Sequence, residues 1–406
     1  MDGKAVPKKQ GILKKFIGNL CMIKIKKRNL VFFSSTLFNI KDENGKFINQ
    51  LDGYYCDLYP NDCLLVENSG GGFDWIAKDT YPCLSFVNTY FLYISYILAR
   101  LSLKVKDVNN PDLNAFLSKY SKLFTLYNLK LIDRQVCVYQ KIIRWFLKKT
   151  HCKVLFVNCG CYGEFQGIVI NVARKLGVKT IELQHGSIAS EHKAYNPTTV
   201  EKECKELYQY LPEEIWTFGD YWSKSVGWNI KKVSIGNPHL NNYVNKYRDC
   251  KTLYDYLIIS QWTLYEDIKS FVKALAARFP NKKIAIRLHP ADDRHVYDDI
   301  LTLFGNIELT DTTKNLYDDI GKSKCVIGGY STCLYEALAF NKPLVIIDCD
   351  LSRKYFDTQI GCWTKEPIAI HEITENTNEN VMSSIWKTDF SENVNKEISR
   401  ILKSNK

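Results

Sequence analysis

Three short stretches of this chain place reactive side chains directly after apolar runs. Gln184-His185-Gly186-Ser187 follows the run 178–183, and Arg287-Leu288-His289-Pro290 closes the run 283–288. Gly328-Gly329-Tyr330-Ser331-Thr332 follows Cys325-Val326-Ile327. Histidine is the side chain whose ordinary pKa lies near neutrality, so His185 can accept a proton from a hydroxyl. Glu164, Glu191 and His192 compete with His185 for the role of base. In the third stretch Ser331 and Thr332 can cap a helix. The glycines let a ligand approach backbone N–H groups at the positive end of the helix dipole, which suits a phosphate. An ordinary serine-capped turn uses the same residues, and that plainer reading stays open at this point.

These residues need a frame, and the apolar periodicity supplies one. Strands are expected over 29–38, 63–67, 153–158, 178–183, 215–218 and 233–235. The second half predicts strands at 256–260, 283–288, 306–309, 325–327 and 344–347. Helices are expected at 112–127, 133–149, 168–176, 265–279, 315–321, 331–340 and 379–403, with 159–167 a loop carrying Glu164. Strands alternating with helices imply parallel sheets, in which ligands sit outside the carboxyl ends of the strands. All three stretches have that address. The proline-marked Gly236-Asn237-Pro238 and the polar residues after it divide the chain. The expected domains are a basic segment 1–28, an N-terminal α/β domain 29–240, a C-terminal α/β domain 250–378, and a helix 379–406 returning to the first domain.

Composition narrows the classes. A chain of 406 residues, 46% of them hydrophobic, can bury two cores, since about 150 residues per domain is usual. Fourteen cysteines, mostly inside apolar runs, fit a reducing compartment better than a disulfide framework. Cys159 and Cys161 are spaced too closely for a usual zinc knuckle. The net charge of +11 is concentrated in residues 4–28, where lysines alternate with apolar residues. That segment reads either as an amphipathic strip on an anionic membrane or as a solvated terminus. No nucleic-acid motif accompanies the charge. The apolar stretch 83–101 includes Asn88, Thr89 and Arg100, falls short of the ~20 apolar residues of a spanning helix, and reads as a buried or interface-lying helix. The triple glycine within Asn68–Phe73 is a flexible turn or a place of backbone approach. The pairs Asp292-Asp293 and Asp318-Asp319 read as surface charge, and Trp216, Tyr221 and Trp222 as core or as platforms for sugar rings.

The run Ile181 to Pro197, then Arg287-Leu-His-Pro290, then Gly328 to Ile346 resembles the bacterial GT-B glycosyltransferases that build capsules and other surface polysaccharides. It is similar, more distantly, to bacterial sialyltransferases with their His-Pro and Ser-Ser/Thr motifs. The resemblance covers mainly residues 150–350. It implies a GT-B fold with two Rossmann-like domains whose parallel sheets face a central cleft, nucleotide on the C-terminal side and acceptor on the N-terminal side.

From the resemblance follow roles. His289 contacts or protonates the leaving phosphate, Gly328, Gly329, Tyr330, Ser331 and Thr332 cradle it, Glu336 holds the ribose, and Arg287 adds charge. His185 is the base unless Glu164, Glu191 or His192 takes that part, because sialyltransferases carry an acidic motif there. Gln184, Gly186, Ser187 and Tyr195 complete the substrate contacts. The expected activity is transfer of a sugar from a nucleotide sugar to a surface glycan or lipid-linked acceptor, without metal or cofactor. The expected place is the cytoplasm, peripheral on the inner face of the membrane. Three alternatives remain: a teichoic-acid-type glycerophosphotransferase, a nucleotide-sugar 2-epimerase (which carries Asp-Ser-Gly-Gly where this chain has Gly328 to Ser331), and a membrane-surface scaffold with a degenerate site.

Overall fold

The structure is a computed structural model that describes residues 23–42, 44–68, 76–77, 79–104, 110–247, 249–289, 292–373 and 383–404. Most of the basic segment, residues 69–73 of the triple-glycine stretch, Pro290 and residues 379–382 lie outside these. The chain divides into two compact units. One holds the described residues up to His185, Thr199–Trp216 and the stretch from Ile398; the other holds Gly186–Thr198 and Thr217–Glu397.

The strands are β1 (Leu30–Ser35), β2 (Asn39–Lys41), β3 (Phe47–Asn49), β4 (Cys63–Asn68), β5 (Leu84–Ser85), β6 (Val154–Asn158), β7 (Lys179–Leu183), β8 (Glu214–Thr217) and β9 (Lys231–Ser234). They continue with β10 (Tyr254–Ile259), β11 (Ile284–Arg287), β12 (Ile307–Leu309), β13 (Ser323–Gly328), β14 (Leu344–Ile347) and β15 (Cys362–Thr364). A seven-stranded sheet has the order β5-β4-β1-β6-β7-β8-β9, a six-stranded sheet the order β12-β11-β10-β13-β14-β15, and β2 and β3 form a small antiparallel pair. Every assigned pairing from β5 to β8 and throughout the second sheet is parallel. The expected α/β class, with two Rossmann-like parallel sheets in series, is what the chain forms.

These strands are almost wholly apolar because both faces of a parallel sheet are covered by helices. In the first unit Phe32 of β1 stacks on Phe156 of β6 at 4.3 Å, and Val31, Phe33, Leu155 and Val157 pack under helices Leu126–Thr150 and Glu164–Arg174. In the second, Ile258, Ile286, Ile327 and Val345 pack with Ile268, Phe271 and Leu275 of helix Tyr265–Arg278. Both sheets reverse direction at their centre. Chain order runs outward from β1 through β4 to β5, then resumes at β6 on the other side; β10 and β13 flank the same kind of reversal in the second sheet.

Several boundaries differ from the sequence reading. The helix expected at 112–127 is Pro111–Lys119, and a second helix, Leu126–Thr150, begins where the Thr125 hydroxyl accepts the Asn128 N–H. Glu164 lies not in a loop but at the first position of helix Glu164–Arg174. The polar stretch after Pro238 is helix Pro238–Tyr247, its first turn tied by Asn237 accepting from Leu240 N–H.

The stretch 83–101 becomes β5 and helix Val87–Ser102. Asn88, Phe91, Ser95 and Ala99 are buried at helical spacing while Tyr93, Ile94, Ile97, Leu98 and Leu101 are exposed. No helix among the described residues is long and apolar enough to cross a membrane. The C-terminal helix Phe390–Ser404 places Arg400 on Glu214 of β8 through two bonds of 2.8 and 2.9 Å.

Candidate functional site

Ligands of open parallel sheets bind at the carboxyl edge where the strand order reverses. In the second sheet that edge is formed by the ends of β10 and β13, where Ser260-Gln261 meets Gly328-Gly329-Tyr330. Gln261 Oε1 accepts the Tyr330 N–H at 2.9 Å, closing the turn from the side. Both glycines are buried, and a Cβ on Gly329 would run into a Leu264 methyl and lie 3.0 Å from Gln261 Oε1. A side chain at Gly329 would therefore require Leu264 to shift.

Helix Thr332–Ala339 starts at this turn. Ser331 is its N-cap, and its hydroxyl accepts the Cys333 N–H at 3.3 Å. The Thr332 hydroxyl donates to the Ser187 hydroxyl at 3.2 Å. Ser187 and the Gly-Gly-Tyr-Ser-Thr stretch therefore meet inside the second unit. Tyr330 is half-buried, its hydroxyl paired with Thr263 and its ring against Tyr355. Glu336, one turn into the helix, is half-buried, and burial lifts its carboxyl to about 7 against a smaller opposing hydrogen bond from Tyr317.

His289 stands just past β11 with an exposed side chain. Its backbone N–H donates to Asp292 at 2.9 Å, and the same carboxylate oxygen accepts the Ser260 hydroxyl. Asp292 thus fixes the His289 loop, which corrects its reading as surface charge; Asp293 caps the following turn. Asp319 likewise is buried and pairs with Arg287 at 2.9 Å, while Asp318 pairs with Lys322. Arg287 also donates to the carbonyls of Asp311 and Lys314. These bonds engage its guanidinium in holding the loops around it.

Glu191 is exposed, and Tyr195 is buried with its ring 4.9 Å from that of His192. Burial pushes the His192 imidazole below its ordinary pKa.

The reversal point of the first sheet, at the ends of β1 and β6, carries a polar cluster. The Asn158 amide donates to Asp52 at 2.8 Å and Ser34 at 3.3 Å; Asn39 donates to Glu67 at 2.8 Å, and Asn49 links Ser34 with Glu67. Burial raises Asp52 to about 6 and Glu67 to about 7, outweighing the hydrogen bonds that hold them. Immediately after Asn158, Cys159 adopts a left-handed backbone at φ 59°, which a non-glycine residue keeps only when its surroundings impose it.

The His185 ring lies above this turn. Its Nε2 is 3.7 Å from Cys159 Sγ and 3.4 Å from the Tyr162 hydroxyl, and the ring is 5.9 Å from that of Phe38. Gln184 is buried and its N–H extends the β7–β8 pairing to the Trp216 carbonyl. Glu164 is exposed, with φ 51°, and its charge reaches Cys159.

Sequence reasoning found the strand-end motifs but missed Gln261, Ser260, Asp292, Cys159, Tyr162, Asp52 and Asn158. Ser34 and Asn158, polar residues ending apolar runs, were the legible signal for the first-sheet cluster. Trp216 and Trp222 are fully buried core residues, and Tyr221 donates its hydroxyl to Asp357.

The sequence matches no protein-family model and no curated protein. Among solved structures, the UDP-GlcNAc 2-epimerase of Methanocaldococcus jannaschii is similar at 11% identity over 92% of this chain and 99% of that one, with a TM-score of 0.48. Acinetobacter baumannii MurG matches at 9% identity over 83% and 86%, with a TM-score of 0.44. The Streptomyces nogalater glycosyltransferase SnogD matches at 10% identity over 92% and 95%, also with 0.44.

Proposed function

We propose that the chain is a nucleotide-sugar-dependent glycosyltransferase of the GT-B type, acting without a metal on a surface glycan or lipid-linked acceptor. The observation that carries this reading is the second sheet's reversal point. There a glycine turn packed closely against Leu264 and Gln261 leads into a helix whose first hydroxyl is bonded to Ser187. A diphosphate seated at that helix start meets backbone N–H groups, the helix dipole and the Ser187 proton. These donors are fixed in advance where negative charge develops as the sugar leaves. His289, held by Asp292, supplies a further donor to the leaving phosphate, and Glu336, one turn into the helix, accepts from the ribose. His185 takes the proton of the acceptor hydroxyl, with Cys159 and Tyr162 setting the ring's orientation. The exposed apolar face of helix Val87–Ser102, beside Arg100, supports work at a membrane surface, where a lipid-linked acceptor resides.

The test is a thermal-shift titration with CMP, CDP, UDP, GDP and dTDP, followed by the corresponding nucleotide sugars in the presence and absence of lipid-linked acceptors. A ligand that binds only the folded chain raises its melting temperature once it exceeds its dissociation constant. A shift with one nucleotide, and acceptor-dependent release of it, is the expected result. A 2-epimer formed without nucleotide release would replace transfer with epimerisation, and turnover of CDP-glycerol would replace the sugar donor. No shift at millimolar concentrations of any nucleotide would sink the enzyme reading.

A further inference from the structure

We infer that Cys56, Cys63 and Cys83 form a zinc-binding site in the first unit, remote in role from the transfer chemistry. The three sulfurs lie within 4.8 Å of one another, and all three side chains are buried. They come from three elements: Cys56 from helix Gly53–Leu58, Cys63 from the first position of β4, and Cys83 from the residue before β5. A zinc ion bound at about 2.3 Å from each sulfur places thiolates roughly 3.8 Å apart, so the pocket accommodates it with a small opening of the 3.0 Å Cys56–Cys63 approach. Thiols buried only as small apolar groups have no reason to converge.

The surroundings suit a metal thiolate. Three thiolates around one zinc carry a net negative charge, and the Lys26 ammonium lies on the Pro82 carbonyl, next to Cys83. Three sulfurs leave the fourth position of a tetrahedral ion to a further donor. The mechanical gain is clear: β5 pairs with β4 through two residues only, and a shared ion fastens that edge to the helix.

The full-length chain, purified under reductant, is assayed for zinc by mass spectrometry and titrated with Co²⁺ after chelation. One zinc per chain is expected. Co²⁺ should give a thiolate charge-transfer band with the visible bands of tetrahedral coordination, and chelation should lower the melting temperature. Both signals should disappear in the Cys63→Ser/Cys83→Ser variant and persist in Cys161→Ser. The inference is overturned by a wild-type chain that takes up neither ion, by a metal that survives in the double variant, or by a Cys56–Cys63 disulfide found in place of bound metal. Should the double variant fail to fold, the wild-type cobalt spectrum alone decides.

Discussion

The Thr332 hydroxyl donates to the Ser187 hydroxyl at 3.2 Å, joining motifs 145 residues apart in the chain. His185 and Ser187 flank Gly186, where the chain passes from the first unit to the second. The bond lies within the second unit and ties the start of the proposed donor helix to the segment Gly186–Thr198. Thr332→Val should remove it without changing side-chain volume. Loss of a neutral hydrogen bond costs about 1 kcal/mol, so nucleotide affinity should fall roughly five-fold with little change in melting temperature. Calorimetric titration of Thr332→Val, Ser187→Ala and the double variant checks this; strictly additive losses would mean that the two hydroxyls do not act together.

His185→Asn should lower kcat by about a hundred-fold or more, the usual scale of a lost general base. The melting temperature should hardly move. In Tyr162→Phe the acid limb of the kcat–pH profile should shift while activity at its plateau is largely kept, because the ring loses a partner at 3.4 Å but not its proton-accepting nitrogen. An unchanged profile in both variants would transfer the role to Glu164, Glu191 or His192.

Gly329→Ala places a methyl group against Leu264 and 3.0 Å from Gln261. Overpacking of this kind typically costs about 1–3 kcal/mol. Chemical unfolding should show that loss, and nucleotide binding should weaken further because the Tyr330 amide is displaced from Gln261. A variant as stable and as avid as the parent would show that the turn is not a cradle.

Glu67 holds its proton in the folded chain up to about pH 7, whereas an unperturbed glutamate releases it near 4.5. Between these values the folded state binds the extra proton, so its stability falls as pH rises through the window. Glu67→Gln should match the parent near pH 4 and exceed it at pH 8, by at most about 3 kcal/mol for a shift of this size. Denaturant unfolding at the two pH values is the check, and a pH-independent difference would assign the effect to altered hydrogen bonding with Asn39 and Asn49.

How far the sequence could be read differs from one residue to the next. Val154–Asn158, Lys179–Leu183 and Leu344–Ile347 are legible because a strand covered on both faces is an almost unbroken apolar run. The polar residue that interrupts each run marks the carboxyl edge, so His185, His289 and Gly328-Gly329 could be located without coordinates. Glu164 could not, because its helix begins after a left-handed turn at Cys159 that only the packed surroundings enforce. Nor could Arg287 and Asp292. Charge near a motif looks the same in sequence whether it faces a ligand or, as here, ties one loop to another.

The amino-acid sequence by itself determined two α/β units, their parallel strands and the chemistry waiting at strand ends, since apolar periodicity and turn residues are local properties. Only the tertiary structure decided which of those residues meet. Thr332 finds Ser187, Tyr330 finds Gln261, and Cys56, Cys63 and Cys83 converge because strand order in a sheet is set by long-range packing, which brings distant segments together in ways no local pattern records.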